Sequence, residues 1–263
     1  MSPSAVDAIR RYVFGFVNSH DFSVCRELMS DGYTLHMGDS EVVGREGDYI
    51  PAVQNQLDQF PDMGMTIHDV ITDGEHVVLH FSEHGRSRDG LVAAWPGVSI
   101  YRFDGTHLAE CWVEQDHYSR RKQLAERTAL PLLPASTAPF SGHAAQPSVA
   151  ADASVRRWLE GISQWPPEGV EPDSGPYSRP SVELDHTEAI PNVVVAAGDR
   201  VAFHATVWGD YRGSLQEADA SRTTRLPLHI AATTSVRAGH VEVDYIATNR
   251  VAFLRRLKSA STA

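Results

Sequence analysis

Two cysteines in 263 residues, Cys25 and Cys111, are too few for a disulfide framework and form no Cys-x-x-Cys pair. A reducing cytoplasm is therefore the expected setting, with both thiols buried and inert. Long apolar runs are missing as well, since no segment approaches the roughly 18 uninterrupted apolar residues of a membrane span. Positive charge is scarce: 23 Lys and Arg stand against 34 Asp and Glu, a formal net charge of −11. That balance opposes nucleic acid and anionic membrane surfaces, so neither is an expected partner. The sequence also lacks a Gly-x-x-x-x-Gly-Lys phosphate loop, a Gly-x-Gly-x-x-Gly turn after a strand and a Gly-x-Ser-x-Gly elbow. Kinase, dehydrogenase and serine hydrolase chemistries are set aside on that ground. At the N-terminus two arginines precede YVFGFV, but the apolar run is too short for a secretion signal and no small-residue cleavage site follows.

What is present is repetition. DGEHVVLHF at 73–81 recurs as AGDRVAFHA at 197–205, so that His80 matches His204. CWVEQDHYSRRKQL at 111–124 aligns with DYIATNRVAFLRRL at 244–257, placing Asp116 against Asn249 and Trp112 against Tyr245. Two elements repeated in one order imply a duplicated domain. Length agrees, because each half is small enough to need the other's support. The expected organisation is a first domain over 1–127, a Pro/Ala/Ser-rich linker over 128–153 and a degenerate second domain over 154–263.

Periodicity fills in the first half. Val6, Ile9, Val13, Phe16 and Val17 mark one face of a helix over 4–19, and Asp21 is placed to cap a second helix over 21–30. A strand follows at 33–37, then a third helix over 44–60 interrupted near its start by Pro51. Four strand-like runs, 66–74, 75–85, 92–105 and 107–119, come next, separated by Asp-Gly turns or a Gly-containing loop. That order predicts α+β architecture, three helices against a curved and mostly antiparallel sheet. After the linker, SVRRWLEGISQW reads as one helix stopped by Pro166 and Pro167. Strands at 181–190, 193–198, 199–209, 225–239 and 240–248 follow, with no counterparts of the second and third helices.

The helix-helix-strand-helix-strand order, the run GDRVAFHATVWGDYRGSL (198–215) and the closing Glu110-x-Trp112-x-x-x-Asp116 strand resemble the SnoaL-like branch of the nuclear transport factor 2-like superfamily. The resemblance covers both halves apart from the linker. It implies tandem cone-shaped α+β barrels, the second with fewer helices, and an open mouth that holds a small molecule. The family hosts polyketide cyclases, ketosteroid isomerases, epoxide hydrolases, dehydratases and proteins without catalysis, and is largely cofactor-free. No cofactor is therefore expected, and the implied partner is an apolar, polyketide-like molecule. Members commonly dimerise through the sheet; a fused second copy makes a pseudo-dimer within one chain, for which a monomer suffices.

Strand alternation puts Glu110, Trp112, Glu114 and Asp116 on one face, and the resemblance implies that this face looks into the cavity. A carboxylate desolvated there gains proton affinity, which makes Asp116 the candidate catalytic acid or base. The competing reading is that Asp116 caps the helix that follows it. His80, on the face of Val78 and Ser82, is the second catalytic candidate, orienting Asp116 or protonating a substrate oxygen. Its repetition as His204 argues instead for a role in the fold. Trp112, Glu110, Glu114, Tyr33, Trp95, His36 and Ser82 are the candidate substrate-binding residues, and Glu83, His84 and His117 could line a mouth. The spacing closest to a metal motif, His80-x-x-Glu83-His84, puts Glu83 on the strand face opposite both histidines, so no metal is expected. In the second copy Asn249 cannot take a proton, leaving His204, His229 and Tyr245 as a different and doubtful site. Cyclisation, isomerisation or dehydration heads the reading. Non-catalytic binding or scaffolding comes second, and epoxide hydrolysis by two carboxylates bridged by an arginine third.

Overall fold

The computed structural model describes residues 4–142, 144–173, 175–215 and 224–261, so His143 of the expected linker lies outside the described residues. Helix α1 (Ala5–Arg11) starts at Ser4, whose side chain accepts the Asp7 amide, and widens into a π-helical stretch over Tyr12–Val17. Ile9, Val13, Phe16 and Val17 are buried, as the 3.6-residue spacing predicts. Helix α2 (Phe22–Leu28) is capped by Asp21, which accepts the Ser23 amide at 2.9 Å. A second π-helical stretch, Arg45–Tyr49, leads into α3 (Ile50–Gln59). Pro51 is tolerated there because an amide in the first turn has no intrahelical partner to lose.

These helices cover the concave side of a six-stranded sheet of order β2-β1-β6-β5-β4-β3. Its strands are β1 (Met29–Met37), β2 (Ser40–Val43), β3 (Gly64–Thr72), β4 (His76–Arg86), β5 (Val92–Phe103) and β6 (Leu108–Gln115), followed by α4 (His117–Glu126). All described pairings are antiparallel except β1 with β6. The short β2 hairpin was not legible in the sequence pattern. Gly97 lets β5 cross closely over its neighbours: a Cβ there would stand 2.8 Å from Gln115 Cγ and 3.0 Å from Phe81 Cζ.

The second unit comprises α5 (Val149–Glu160), β7 (Gln164–Trp165), β8 (Glu183–Ala197), β9 (Arg200–Gly213), β10 (Arg225–Arg237), β11 (His240–Thr248) and α6 (Arg250–Ser261). Its five strands run in the order β11-β10-β9-β8-β7. Three boundaries differ from the sequence expectation. Helix α5 begins inside the expected linker, because Ser148 caps it by accepting the Ala151 amide, and it stops at Gly161 rather than at the prolines. The runs 181–190 and 193–198 form one strand, continuous through bulges. The expected linker is a strap bonded along the sheets: Ser136 N donates to Ile67 O, Ala145 N to Thr72 O, and Gly198 N to Gln146 O.

The two sheets pack face to face. Ile71, Val78, Val98 and Ile100 of the first meet Val195, Ala197, Ala202, Ala231, Tyr245 and Ala247 of the second, and the small alanines allow close approach. Helix α5 covers the far face of the second sheet, giving a helix-sheet-sheet-helix stack. The interior of the second unit is filled by Trp165, Phe203, Tyr211, Phe253 and Leu254.

Candidate functional site

The concave side of the first sheet encloses a cavity of about 180 Å³. The π-helical stretches supply Tyr12, Phe16, Val17 and Tyr49, α3 supplies Val53, Gln56 and Leu57, and the strands supply Phe81, Glu83, Tyr101, Cys111, Val113 and Gln115. Most of this wall is apolar or aromatic, as suits a small organic molecule. Polar groups gather at one end. Glu83 Oε2 accepts from Gln56 Nε2 at 2.7 Å and from the Trp95 indole at 3.0 Å. Trp95 Nε1 also reaches Gln115 Oε1 at 3.1 Å, and His117 Nε2 meets that same oxygen at 2.8 Å.

Burial pushes the Glu83 carboxyl above its ordinary value, against the opposing pull of Gln56, Arg120, Trp95 and Gln115. His117 is driven the other way, down to about 3, first by burial and then by the charges of Arg120 and Arg255. Its place at the start of α4 adds the unfavourable end of the helix dipole. Near neutral pH His117 is thus an uncharged imidazole. The pair differs in kind, a carboxyl of raised proton affinity and a ring of lowered affinity, meeting through one glutamine. A site so built can exchange a proton with a bound molecule and hydrogen-bond a developing charge.

The strand face named by Glu110, Trp112, Glu114 and Asp116 does not look into this cavity; Cys111, Val113 and Gln115 do. The opposite face turns toward the second sheet. Glu114, with no side-chain exposure, accepts from Gly38 N at 2.8 Å and Asn249 Nδ2 at 2.8 Å and meets His204 Nε2 at 3.0 Å. Glu110 holds Arg102 at 3.1 Å and His36 at 2.9 Å, and His36 stacks on Trp112 with ring centroids 5.3 Å apart. Ser82 pairs with His68 Nε2 at 2.8 Å on that same convex side. Strand alternation separated the two faces correctly, whereas the face that the resemblance implied for the cavity is the other one.

Asp116 is a helix cap and half of a buried ion pair. Its Oδ1 accepts the Ser119 amide at 3.0 Å and Arg250 Nη2 at 2.6 Å, and Ser119 Oγ closes on Oδ2. Arg250 Nε also stands 3.2 Å from Asp173 Oδ2, without hydrogen-bond alignment. Two carboxylates bridged by an arginine do exist here, but Asp116 and the side chains of Arg250 and Asp173 are shut from solvent between the units, away from the cone. His80 is also elsewhere: its ring stacks on Tyr245 at 4.2 Å between the sheets, and burial pushes it down to about 4. Tyr33 packs edge-on to Tyr49 in the core. Of the residues expected to bind substrate, Trp95 is the one that supports the polar end, through its indole donor. Glu83 and His117 line the cone, whereas His84 bonds Thr66 Oγ1 at 3.0 Å.

Three histidines on the convex side are matched to acids: His36 to Glu110, His204 to Glu114, and His229 to Asp39 at 2.9 Å. Among the described residues no group of His, Cys, Asp and Glu is placed to hold a metal ion. No described helix is long and apolar enough to cross a membrane.

With the cone and its polar end defined, the chain can be set beside known proteins. Residues 9–111 match the family model of the SnoaL-like domain, so the first unit is a SnoaL-like domain. Among solved structures the chain is similar to wild-type IdmH of Streptomyces antibioticus, named as a candidate polyketide cyclase. The two are 23% identical over 45% of this chain and 96% of that one, with a TM-score of 0.41. A candidate SnoaL-like polyketide cyclase from Jannaschia sp. CCS1 is 17% identical over 46% of this chain and 95% of its own, TM-score 0.41. AclR of Streptomyces galilaeus, named as a candidate hydroxylase, is 19% identical over 48% and 82% respectively, TM-score 0.41. No curated protein matches the sequence.

Proposed function

We propose that the first unit is an acid-base catalyst acting on an apolar, polyketide-like small molecule, with Glu83 moving the proton. The observation that carries this reading is the buried Glu83 carboxyl, held by Gln56 and Trp95 at the polar end of an otherwise apolar cone. As carboxylate, Glu83 takes a proton from a carbon acidified by an adjacent carbonyl. The electron pair moves to the carbonyl oxygen as an enolate, and the resulting carboxylic acid returns the proton when the enolate collapses. Gln56, which lines the cone and has a second amide N–H beside the one it gives to Glu83, is the nearby donor for that oxygen. Cyclisation, isomerisation and dehydration all use this step, and none of them requires a metal or organic cofactor.

The second unit, in this proposal, is a degenerate copy that covers the convex face of the first sheet, a fused pseudo-dimer needing no partner chain. Its strand-strand-strand-strand-helix order from β8 to α6 parallels that from β3 to α4. Asn249 opens α6 by accepting the Ala252 amide at 3.0 Å, in the position Asp116 holds before α4. Its own interior is filled with side chains, which supports one site in the chain rather than two.

The test needs no knowledge of the natural substrate. α-Proton exchange of 2-tetralone in D2O, followed by NMR, reports proton abstraction from a carbon acid of suitable size. Wild-type protein should accelerate exchange and Glu83→Gln should not. Equal rates in both would overturn the assignment, and saturable binding without exchange would make the cone a binding site.

A further inference from the structure

Beside the cone lies a second chamber of about 280 Å³, and the two share Met37, Ala52, Gln56 and His117 in their walls. Three helices build it. Helix α3 contributes Ala52, Asn55, Gln56 and Gln59, spaced i, i+3, i+4 and i+7 on one face; α4 contributes His117 and Arg120; α6 of the second unit contributes Val251, Ala252 and Arg255. The chamber is therefore completed only where the two units meet.

Its charge runs against that of the molecule. Arg120 lies over aromatic rings, its Cζ 4.9 Å from the Trp95 centroid and 5.6 Å from that of Phe60, and is half-buried. No carboxylate among the described residues makes an ion pair with it, whereas Arg250 and Arg256 are each tied to an acid. Arg255 stands at the rim, exposed. The acid in the chamber wall is Asp39, and it is already engaged by Arg256 Nε at 2.6 Å and His229 Nε2 at 2.9 Å. Asn55 and Gln59 add amide donors. A protein of net charge −11 thus holds two guanidinium groups and several amides in the wall of one half-open chamber. Such a space recognises an oxyanion, since planar guanidinium forks match carboxylate and phosphate oxygens and the Trp95 and Phe60 rings support the Arg120 side chain.

We propose that this chamber is an oxyanion subsite, and that the molecule entering the cone carries a carboxylate or phosphate which Arg120 and Arg255 hold while its apolar body lies against Phe81 and Val113. This inference rests on the cone being the ligand site. It narrows the substrate class from apolar molecules in general to apolar acids, and it gives the second unit a direct part in recognition through α6.

The test compares 2-naphthoate and 2-naphthyl phosphate with neutral 2-naphthamide, by isothermal titration calorimetry at low salt on the full chain. At least one anion should bind about tenfold more tightly than the amide, the worth of one charge-assisted hydrogen bond, and the better anion identifies the oxyanion. Arg120→Met, which keeps the stem over Trp95, and Arg255→Glu should each reduce that preference to near parity while amide affinity stays unchanged. Unchanged amide affinity shows that the cone is intact. Parity in the wild type, a preference that survives both substitutions, or failure of all three probes to bind overturns the proposal. The two readings fail separately. Anion preference without Glu83-dependent exchange sinks only the acid-base step, and Glu83-dependent exchange without anion preference sinks only the subsite.

Discussion

Replacing Arg250 by methionine should be among the most destabilising changes in the chain, and its cost should depend on pH in a direction that the structure fixes. The side chain has no solvent exposure and donates to Tyr177 O at 2.7 Å, Ser178 O at 3.2 Å and Asp116 Oδ1 at 2.6 Å. Methionine fills similar space but leaves two carbonyls without donors and two buried acids without a cation. Breaking a buried pair by removing one partner costs about 3–5 kcal/mol, on the order of 10 °C in Tm for a chain of this size. Asp116→Asn is the informative contrast, because it keeps an oxygen for the Ser119 amide and removes one of two anions that share a single guanidinium. Its cost should be no more than about 1 kcal/mol, the scale of a helix cap. Burial, with the neighbouring Asp116 charge, pushes the Asp173 carboxyl well above the ordinary carboxylate range even beside Arg250. A carboxyl whose folded pKa stands above its unfolded value of about 3.9 stabilises the fold while protonated, and that contribution is lost as pH rises through the folded pKa. Without Arg250 the effect strengthens, so the deficit of Arg250→Met relative to wild type should be larger at pH 8 than at pH 5. Thermal unfolding followed by circular dichroism at both pH values measures it. A deficit no larger than that of Asp116→Asn, or one that grows on acidification, would refute the reasoning.

Other consequences are as direct. His80, pushed down to about 4 chiefly by burial, contributes stability that is lost as pH falls from the ordinary histidine range through that value. His80→Phe keeps a ring on Tyr245 and should raise Tm at pH 5 more than at pH 7.5; an equal change at both values would contradict the assignment. Glu83 is shifted upward by burial, so its ionised form opposes folding, and the advantage of Glu83→Gln in Tm should increase from pH 5 to pH 8. The thiols of Cys25 and Cys111 are pushed up to about 11 and about 12, mainly by burial. Neither should be alkylated by iodoacetamide in the native protein at pH 8, and both should be in denaturant, as mass spectrometry would record. Gly97→Ala should push on Phe81 and Gln115 from 3.0 Å and 2.8 Å; the readout is loss of ligand affinity at the cone, and unchanged affinity would show that the wall can yield.

The helices of the first unit were legible because they bury one stripe only. Ile9, Val13 and Phe16 recur with helical spacing, Asp21 caps where a cap was expected, and Pro51 falls in a first turn. The cavity face of β6 was not legible, because both of its faces are covered, one by helices and one by a second sheet. Alternation marks which residues share a face and carries no sign for which neighbour that face meets. Glu114 and Asp116, read as polar groups for a pocket, are polar because His204, Asn249 and Arg250 come to meet them from 90, 135 and 134 residues away. Glu83 and His117 could be named as possible mouth residues from their strand-end positions, but their pairing through Gln115 is a property of the closed cone.

Local sequence, then, determined what depends on neighbours a few residues apart: helix faces, caps, the strand series of the first unit, the echo between the two halves and the acidic balance. Tertiary structure decided everything that depends on what lies across a face. It made Asp116 a lock between units, set His80 against Tyr245, gave the polar end of the cone to Glu83 and brought α6 to the chamber wall. The physical reason is that the proton affinity and accessibility of a side chain are set by burial and by charges brought from distant parts of the chain, and no local period encodes those distances.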